Sequence, residues 1–187
     1  SMNNAQRVAS AVNDPDLVWT GEETNRYISR FLTSAPAVIV SAPAAIAGVY
    51  SEVQTASFGP QVPAAGVSGN VAVASPLEAC SALTNAAAIS GNIALVDRGT
   101  CNFSDKVAFA QAAGAIGVLV ANNTTGLPGM GGTNSSITIP SLGITQALGN
   151  SLKANLPAPG VTLSMAPNPG GGLSGTRNGC MRMFAPN

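Results

Sequence analysis

Between Asn92 and Asn123 the chain reads NIALVDRGTCNFSDKVAFAQAAGAIGVLVANN, and the spacing of its apolar positions changes twice. Ile93–Val96 is apolar without a break, the pattern of a strand buried on both faces, and Asp97-Arg98-Gly99 ends it. Val107, Ala110, Gln111 and Gly114 then recur at helical spacing. Ser104 is placed as the N-cap of that helix, and Asp105 falls in the first turn, where a carboxylate meets the positive helix end. Gly114 supplies the stop. Ile116–Ala121 is a second unbroken apolar run. Two buried strands joined by a helix must run parallel, so this stretch predicts a strand–helix–strand crossover.

The same pattern places the other elements around that unit. Before it, Ala37–Ser41, Ala47–Tyr50, Val53–Ser57 and Gly69–Ala74 read as short strands punctuated by Gly and Pro, with a helical turn over Thr84–Ile89. After it, Asn122–Ser136 is a long uncharged loop rich in Gly, Pro and Asn. Ile137–Ile144 reads as strand on either side of Pro140, Gln146–Leu156 as a helix with Leu148, Leu152 and Leu156 on one face, and Val161–Met165 as a strand. The first residues predict helices over Asn3–Val12 and from Thr20, the second carrying Tyr27, Ile28, Phe31 and Leu32 as an apolar stripe. A glycine-rich segment, Asn168–Gly179, and a short strand, Met181–Phe184, close the chain. Ser1-Met2 reads as the remnant of a cleaved tag, so the chain reads as a piece of a longer protein.

Composition narrows what this scaffold does. Hydrophobic residues make up 45%, enough for a core, but charged residues only 9%, so Ser, Thr, Asn, Gln, Gly and Ala must cover the surface. Net charge is zero and no basic run occurs, which argues against nucleic acid as a partner. No apolar stretch is long enough to span a bilayer, so no membrane insertion is expected. The glycines of the 122–136 loop lack the order of a phosphate cradle. Asn102, Asn122, Asn123 and Asn134 each begin an Asn-x-Ser/Thr triplet, which carries little weight in an Asn- and Thr-rich chain.

Catalysis lacks its parts. There is no His, so a Ser or Cys nucleophile has no usual base, and a zinc site has no plausible ligand set. Asp97 and Asp105 are the only acids near the crossover. Asp105 is explained by the helix start, and Asp97 is expected to pair with Arg98 or to cap its loop. No catalytic residue, metal ligand or cofactor is therefore assigned, although Asp97 with backbone and Asn oxygens leaves a calcium site open. A Cys80–Cys101 disulfide would close a loop of about twenty residues and contribute about 3 kcal/mol in the chain-entropy model. Three buried thiols in a cytosolic protein are the alternative. The Lys-poor, Asn/Thr/Gly-rich composition fits export and favours the bond. Arg98, on a Gly-flanked loop beside Cys101, either recognises a carboxylate or backbone carbonyls of a ligand, or bridges locally to Asp97 or caps carbonyls of its own loop.

Arg98, Gly99, Cys101, Phe103, Ala113-Gly114, Gly117-Val118 and Ile139-Pro140 with Ile144 stand in the order and spacing of a known pattern. Over about Ala37–Met165 the chain resembles the protease-associated (PA) domain. The resemblance implies an α/β fold of the swivelling β/β/α kind, with mixed, partly closed β-sheets, flanking helices and here a short N-terminal helical extension. It implies a noncatalytic role: binding protein or peptide segments, or controlling substrate access to a neighbouring active site. A purely structural insert is the alternative. In plant vacuolar sorting receptors the cargo contacts involve the Arg-Gly-x-Cys loop and the loop after the following strand. Carried over by motif, these are Arg98, Gly99 and Thr100 (here Thr rather than an acid), with Asn122, Asn123 and Thr124 facing them.

The flanks NAQRVASAVNDPDLVWTGEE and CMRMFAPN resemble the junctions of PA domains inserted in secreted bacterial metallopeptidase-like proteins. That implies an extracellular location and a host catalytic domain with an HExxH zinc motif outside this chain. The expected organisation is a tag remnant at 1–2, a helical junction at 3–36, the PA domain at 37–166, and a glycine-rich segment with a junction strand at 167–187. The partners implied are the host's catalytic domain and protein or peptide substrate segments. Cys180 is left either free or paired with a cysteine of the host.

Overall fold

A computed structural model describes residues 35–156 and 162–167. The expected N-terminal helices, the C-terminal strand, Cys180 and the junctions lie outside the described residues. The described residues form eight strands: β1 (Pro36–Ala42), β2 (Gly48–Tyr50), β3 (Val53–Thr55), β4 (Val67–Val73), β5 (Ile93–Asp97), β6 (Gly117–Ala121), β7 (Ser141–Ile144) and β8 (Thr162–Pro167). Three α-helices accompany them: α1 (Ala86–Ile89), α2 (Phe103–Ala112) and α3 (Gln146–Ala154). The strands form one sheet in the order β2-β1-β8-β4-β5-β6-β7-β3. Its edge strands β2 and β3 follow each other in the chain with only Ser51 and Glu52 between them, which brings the two edges together and nearly closes the sheet.

β4, β5, β6 and β7 run parallel, and the others join antiparallel. The crossover from β5 through α2 to β6 is therefore the expected parallel unit. Its unbroken apolar runs are explained by burial on both faces. On one face Ala94, Val96, Val118 and Val120 pack with Val107, Ala110 and Ala113 from α2 and its C-terminal end. On the other, Leu95, Leu119 and Leu142 lie in register across three strands and pack with Leu148 and Leu152 of α3. The α3 stripe is thus a core stripe. Thr145 caps that helix by accepting the Leu148 N–H at 3.2 Å.

Gly114 ends α2 as expected. At φ +87° it takes a conformation that costs other residues more, and the Gly114 and Ala115 N–H groups donate back to Gln111 O (2.8 Å) and Ala110 O (3.1 Å).

Two local expectations are corrected. Asn102, not Ser104, occupies the N-cap of α2, and its Nδ2 donates to Asp105 Oδ2 at 3.1 Å. The chain turns helical directly after Cys101, whose bond to Cys80 fixes the entry, so Ser104 falls inside the first turn and is buried. Residues 137–140 are not strand. Thr138 is held by Gln111 of α2, whose Oε1 accepts the Thr138 N–H at 2.7 Å, and Pro140 has no N–H to give a ladder. The strand begins only at Ser141.

Candidate functional site

Parallel strands end together, so the loops that follow β4, β5 and β6 emerge at one end of the sheet. In α/β folds with parallel strands, open or closed, ligands are bound at this carboxyl end. Asp97 at the end of β5 lies opposite Ala121 at the end of β6, and the Arg98 N–H donates to Ala121 O at 2.7 Å. Arg98 Nη1 then donates to Asn122 Oδ1 at 3.1 Å. Asn122 is buried and uses its amide fully in the loop: Oδ1 also accepts the Asn123 N–H at 3.0 Å, and Nδ2 donates to Gly126 O at 3.0 Å. The remaining N–H groups of Arg98 have no partner among the described residues, and its side chain is exposed.

The loop after β4, Pro76–Ser81, forms the facing wall. It is fastened at several points. The Asp97 N–H donates to Leu77 O at 3.0 Å, and Ala79 is bent at φ +48° with its N–H on Pro76 O at 2.9 Å. Cys80 is bonded to Cys101, with the Cα atoms 5.6 Å apart. The Thr100 N–H and Oγ1 both donate to Glu78 Oε2, at 3.0 and 3.1 Å. Lys106 of α2 is fully buried and its Nζ donates to Glu78 O at 2.6 Å. Gly99 has no side chain where one would run into the Glu78 carboxylate, so the two loops can close on each other.

Between these loops lies an open groove of about 620 Å³, lined by Pro76, Leu77, Glu78, Cys80, Ser81, Asp97, Arg98 and Asn123. Of the six expected ligand residues, Arg98 and Asn123 line it. Thr100 and Gly99 support its wall through Glu78, and Asn122 orients Arg98 from below. Thr124 is exposed beyond the groove lining, its Oγ1 on Thr125 O at 3.4 Å. Asp97 pairs neither with Arg98 nor with its own loop. Both its oxygens accept from Lys153 Nζ, at 2.8 and 3.0 Å, because α3 packs beside the end of β5. That ion pair also occupies the carboxylate on which a calcium site would have to be built.

Pro76, Leu77, Glu78 and Ser81 were not expected at the site. Charge scarcity is a signal that could have found Glu78; Pro76, Leu77 and Ser81 carry no such signal. The described residues carry seven charged side chains, and five of these, Glu78, Asp97, Arg98, Lys106 and Lys153, gather at this one end of the sheet.

Residues 67–152 match the family model of the PA domain. These residues belong to the PA domain family. The match spans β4 through most of α3, so it contains the crossover and every residue of the groove. The ER degradation-enhancing alpha-mannosidase-like protein 3 of Xenopus laevis is 40% identical over 96 residues, 46% of this chain and 10% of that protein. The signal peptide peptidase-like 3 of Arabidopsis thaliana is 37% identical over 109 residues, 54% of this chain and 20% of that protein. The chain therefore spans a tenth to a fifth of these curated relatives. Among solved structures, a zinc aminopeptidase from Bacillus subtilis shares the fold, with a TM-score of 0.52 at 19% identity over 87% of this chain and 41% of that one.

Among the described residues no cluster of three or more His, Cys, Asp or Glu side chains could hold a metal, and no helix is long and apolar enough to cross a membrane. The groove presents guanidinium N–H donors on Arg98 that are unpaired among the described residues and the second carboxylate oxygen of Glu78, with Pro76 and Leu77 as an apolar strip.

Two groups at the wall have shifted acidities. The bonds from the Thr100 N–H and hydroxyl hold the Glu78 carboxyl below its ordinary pKa, with a smaller contribution from the Lys106 charge. Burial pushes the Lys106 ammonium down, against the opposing pull of Glu78 and Asp97. A depressed carboxylate pKa stabilises the fold above its unfolded value, and this contribution is lost as pH falls through the folded one. Gly99→Ala places a methyl group on the Glu78 carboxylate and is expected to break both Thr100 bonds. The Glu78 pKa should then rise toward the ordinary carboxylate range in a carboxyl-carbon NMR titration, and the loss of stability in acid should become shallower. An unchanged Glu78 titration in Gly99→Ala would contradict this account.

Proposed function

We propose that this PA domain is a noncatalytic module of a larger exported peptidase, in which it binds a protein or peptide segment in the Arg98 groove and so controls what reaches the host's catalytic domain. The observation that carries the reading is the groove itself, with an exposed Arg98 held in place by Asn122 and still offering N–H donors. A guanidinium fixed in this way loses little freedom when it takes a carboxylate or a pair of backbone carbonyls. The host reading is supported by the peptidase among the relatives and by the zinc aminopeptidase that shares the fold, and it makes the host a zinc metallopeptidase. Extracellular location is supported by the disulfide and by the charge-poor composition.

The Arg98–Asn122 bond also supports a second reading, a stabilising insert with no ligand of its own. Titrating casein-derived peptides with free C-termini against the domain separates the two. Under the binding reading the wild type takes up peptide, and Arg98→Ala weakens it about tenfold, the worth of one hydrogen bond to a charged group. Equal affinities remove Arg98 from the site. No uptake by the wild type leaves the stabilising insert.

A further inference from the structure

Lys106 is the least expected residue of the groove wall. It sits on α2 with no exposed surface, and its Nζ lies 3.5 Å from Cys80 Sγ as well as 2.6 Å from Glu78 O. Burying an ammonium costs free energy, and a neutral donor would also satisfy the Glu78 carbonyl, so that bond alone does not account for the charge. What it faces is a disulfide whose Cys80 end lines the groove, with both cysteines half-buried and not sealed in the core. The carboxylates nearest to it are already committed, Glu78 to Thr100 and Asp97 to Lys153.

We propose that Cys80–Cys101 is a thiol-exchange site for dithiol reductants, in which Cys101 is the sulfur attacked and Cys80 the sulfur that leaves. An external thiolate attacks Cys101 Sγ. A new S–S bond forms there, the Cys80–Cys101 bond breaks, and the electron pair remains on Cys80 as a thiolate beside the Lys106 ammonium. The second thiol of the reductant then displaces Cys101. The reductant departs as its own disulfide, and the Cys101 thiolate takes a proton from water. Two electrons pass from reductant to protein. A neighbouring positive charge favours the thiolate, and the sulfur with the more stable thiolate leaves faster.

The consequence for binding rests on the proposed groove function. Exchange removes the covalent tie of the Pro76–Ser81 wall and leaves it held by hydrogen bonds to Asp97, Thr100 and Lys106 and by Ala79 in the core. Ligand affinity becomes sensitive to the thiol redox state of the surroundings.

The chemistry is tested without any peptide, so its failure is distinct from failure of the groove reading. The whole chain is exposed to glutathione, freed thiols are alkylated, and peptide mapping locates the mixed disulfide and separates these cysteines from Cys180. Glutathione is expected on Cys101 at least tenfold more often than on Cys80. A mixed disulfide chiefly on Cys80, or evenly shared, overturns the proposal. In dithiothreitol redox buffers, Lys106→Met is expected to move the equilibrium at least tenfold toward the disulfide, about 30 mV for a two-electron couple. Lys106→Arg keeps the charge and should stay near the wild type. Equal equilibrium constants for the wild type and Lys106→Met also overturn it. If Lys106→Met does not fold, the position of glutathione on the wild type decides alone.

Discussion

Leu119→Ala is expected to lower the free energy of unfolding by about 3–4 kcal/mol, a large part of the stability of an ordinary domain. Leu119 has no exposed surface and lies at the middle of β6. It stands in register with Leu95 on one side and Leu142 on the other, a row of three leucines beneath Leu148 and Leu152 of α3. The strands on both sides fix the backbone, so the hole left by the missing methyls has little room to collapse, and the loss stays well above the low end of the usual range. Leu119→Met keeps the volume and should cost less than about 1.5 kcal/mol. Urea titrations check both: the midpoint for Leu119→Ala should fall with little change in slope, because the same surface is exposed on unfolding. A loss below about 1 kcal/mol would mean that the leucine row is not the centre of this core.

The leucine row also shows how far the pattern of residues reveals the fold. An unbroken apolar run such as Ile116–Ala121 says that both faces of a strand are covered, and a helix between two such runs forces them parallel. Both inferences follow from local chemistry, and both agree with β5, α2 and β6. Which strands become neighbours does not follow locally. β8 lies between β1 and β4, and β3 pairs with β7, through contacts between residues about ninety or more positions apart, and nothing in a short window encodes them.

The site divides in the same way. Arg98 and Asn122 were legible because a motif places them on adjacent loops, and they meet at 3.1 Å. Lys106 was not legible, since a lysine after Asp105 on a helix reads as a solvated charge. Its burial depends on Glu78, whose carbonyl it reaches from 28 positions away. Asp97 found Lys153 across 56 positions and not its neighbour Arg98, because strand β5 ends beneath α3 while Arg98 turns to the groove.

Replacing Cys80 and Cys101 together by Ala is expected to cost about 3 kcal/mol and to weaken peptide binding in the groove. The stability loss has a simple origin. The bond joins residues 21 positions apart, and without it the unfolded chain regains the freedom of that loop. The binding loss has a different origin in the folded state. Cys80 belongs to the wall that carries Leu77, Glu78 and Ser81, and Cys101 anchors the loop that carries Arg98. Releasing the bond lets the wall move while leaving the β5–α2–β6 crossover in place, because the core beneath it holds no atom of either cysteine among its buried apolar side chains. Thermal denaturation and peptide titration of the double variant measure the two effects separately. A variant that loses stability yet binds as the wild type would make the disulfide a staple only. One that loses neither would show that the hydrogen bonds from Asp97, Thr100 and Lys106 already hold the wall.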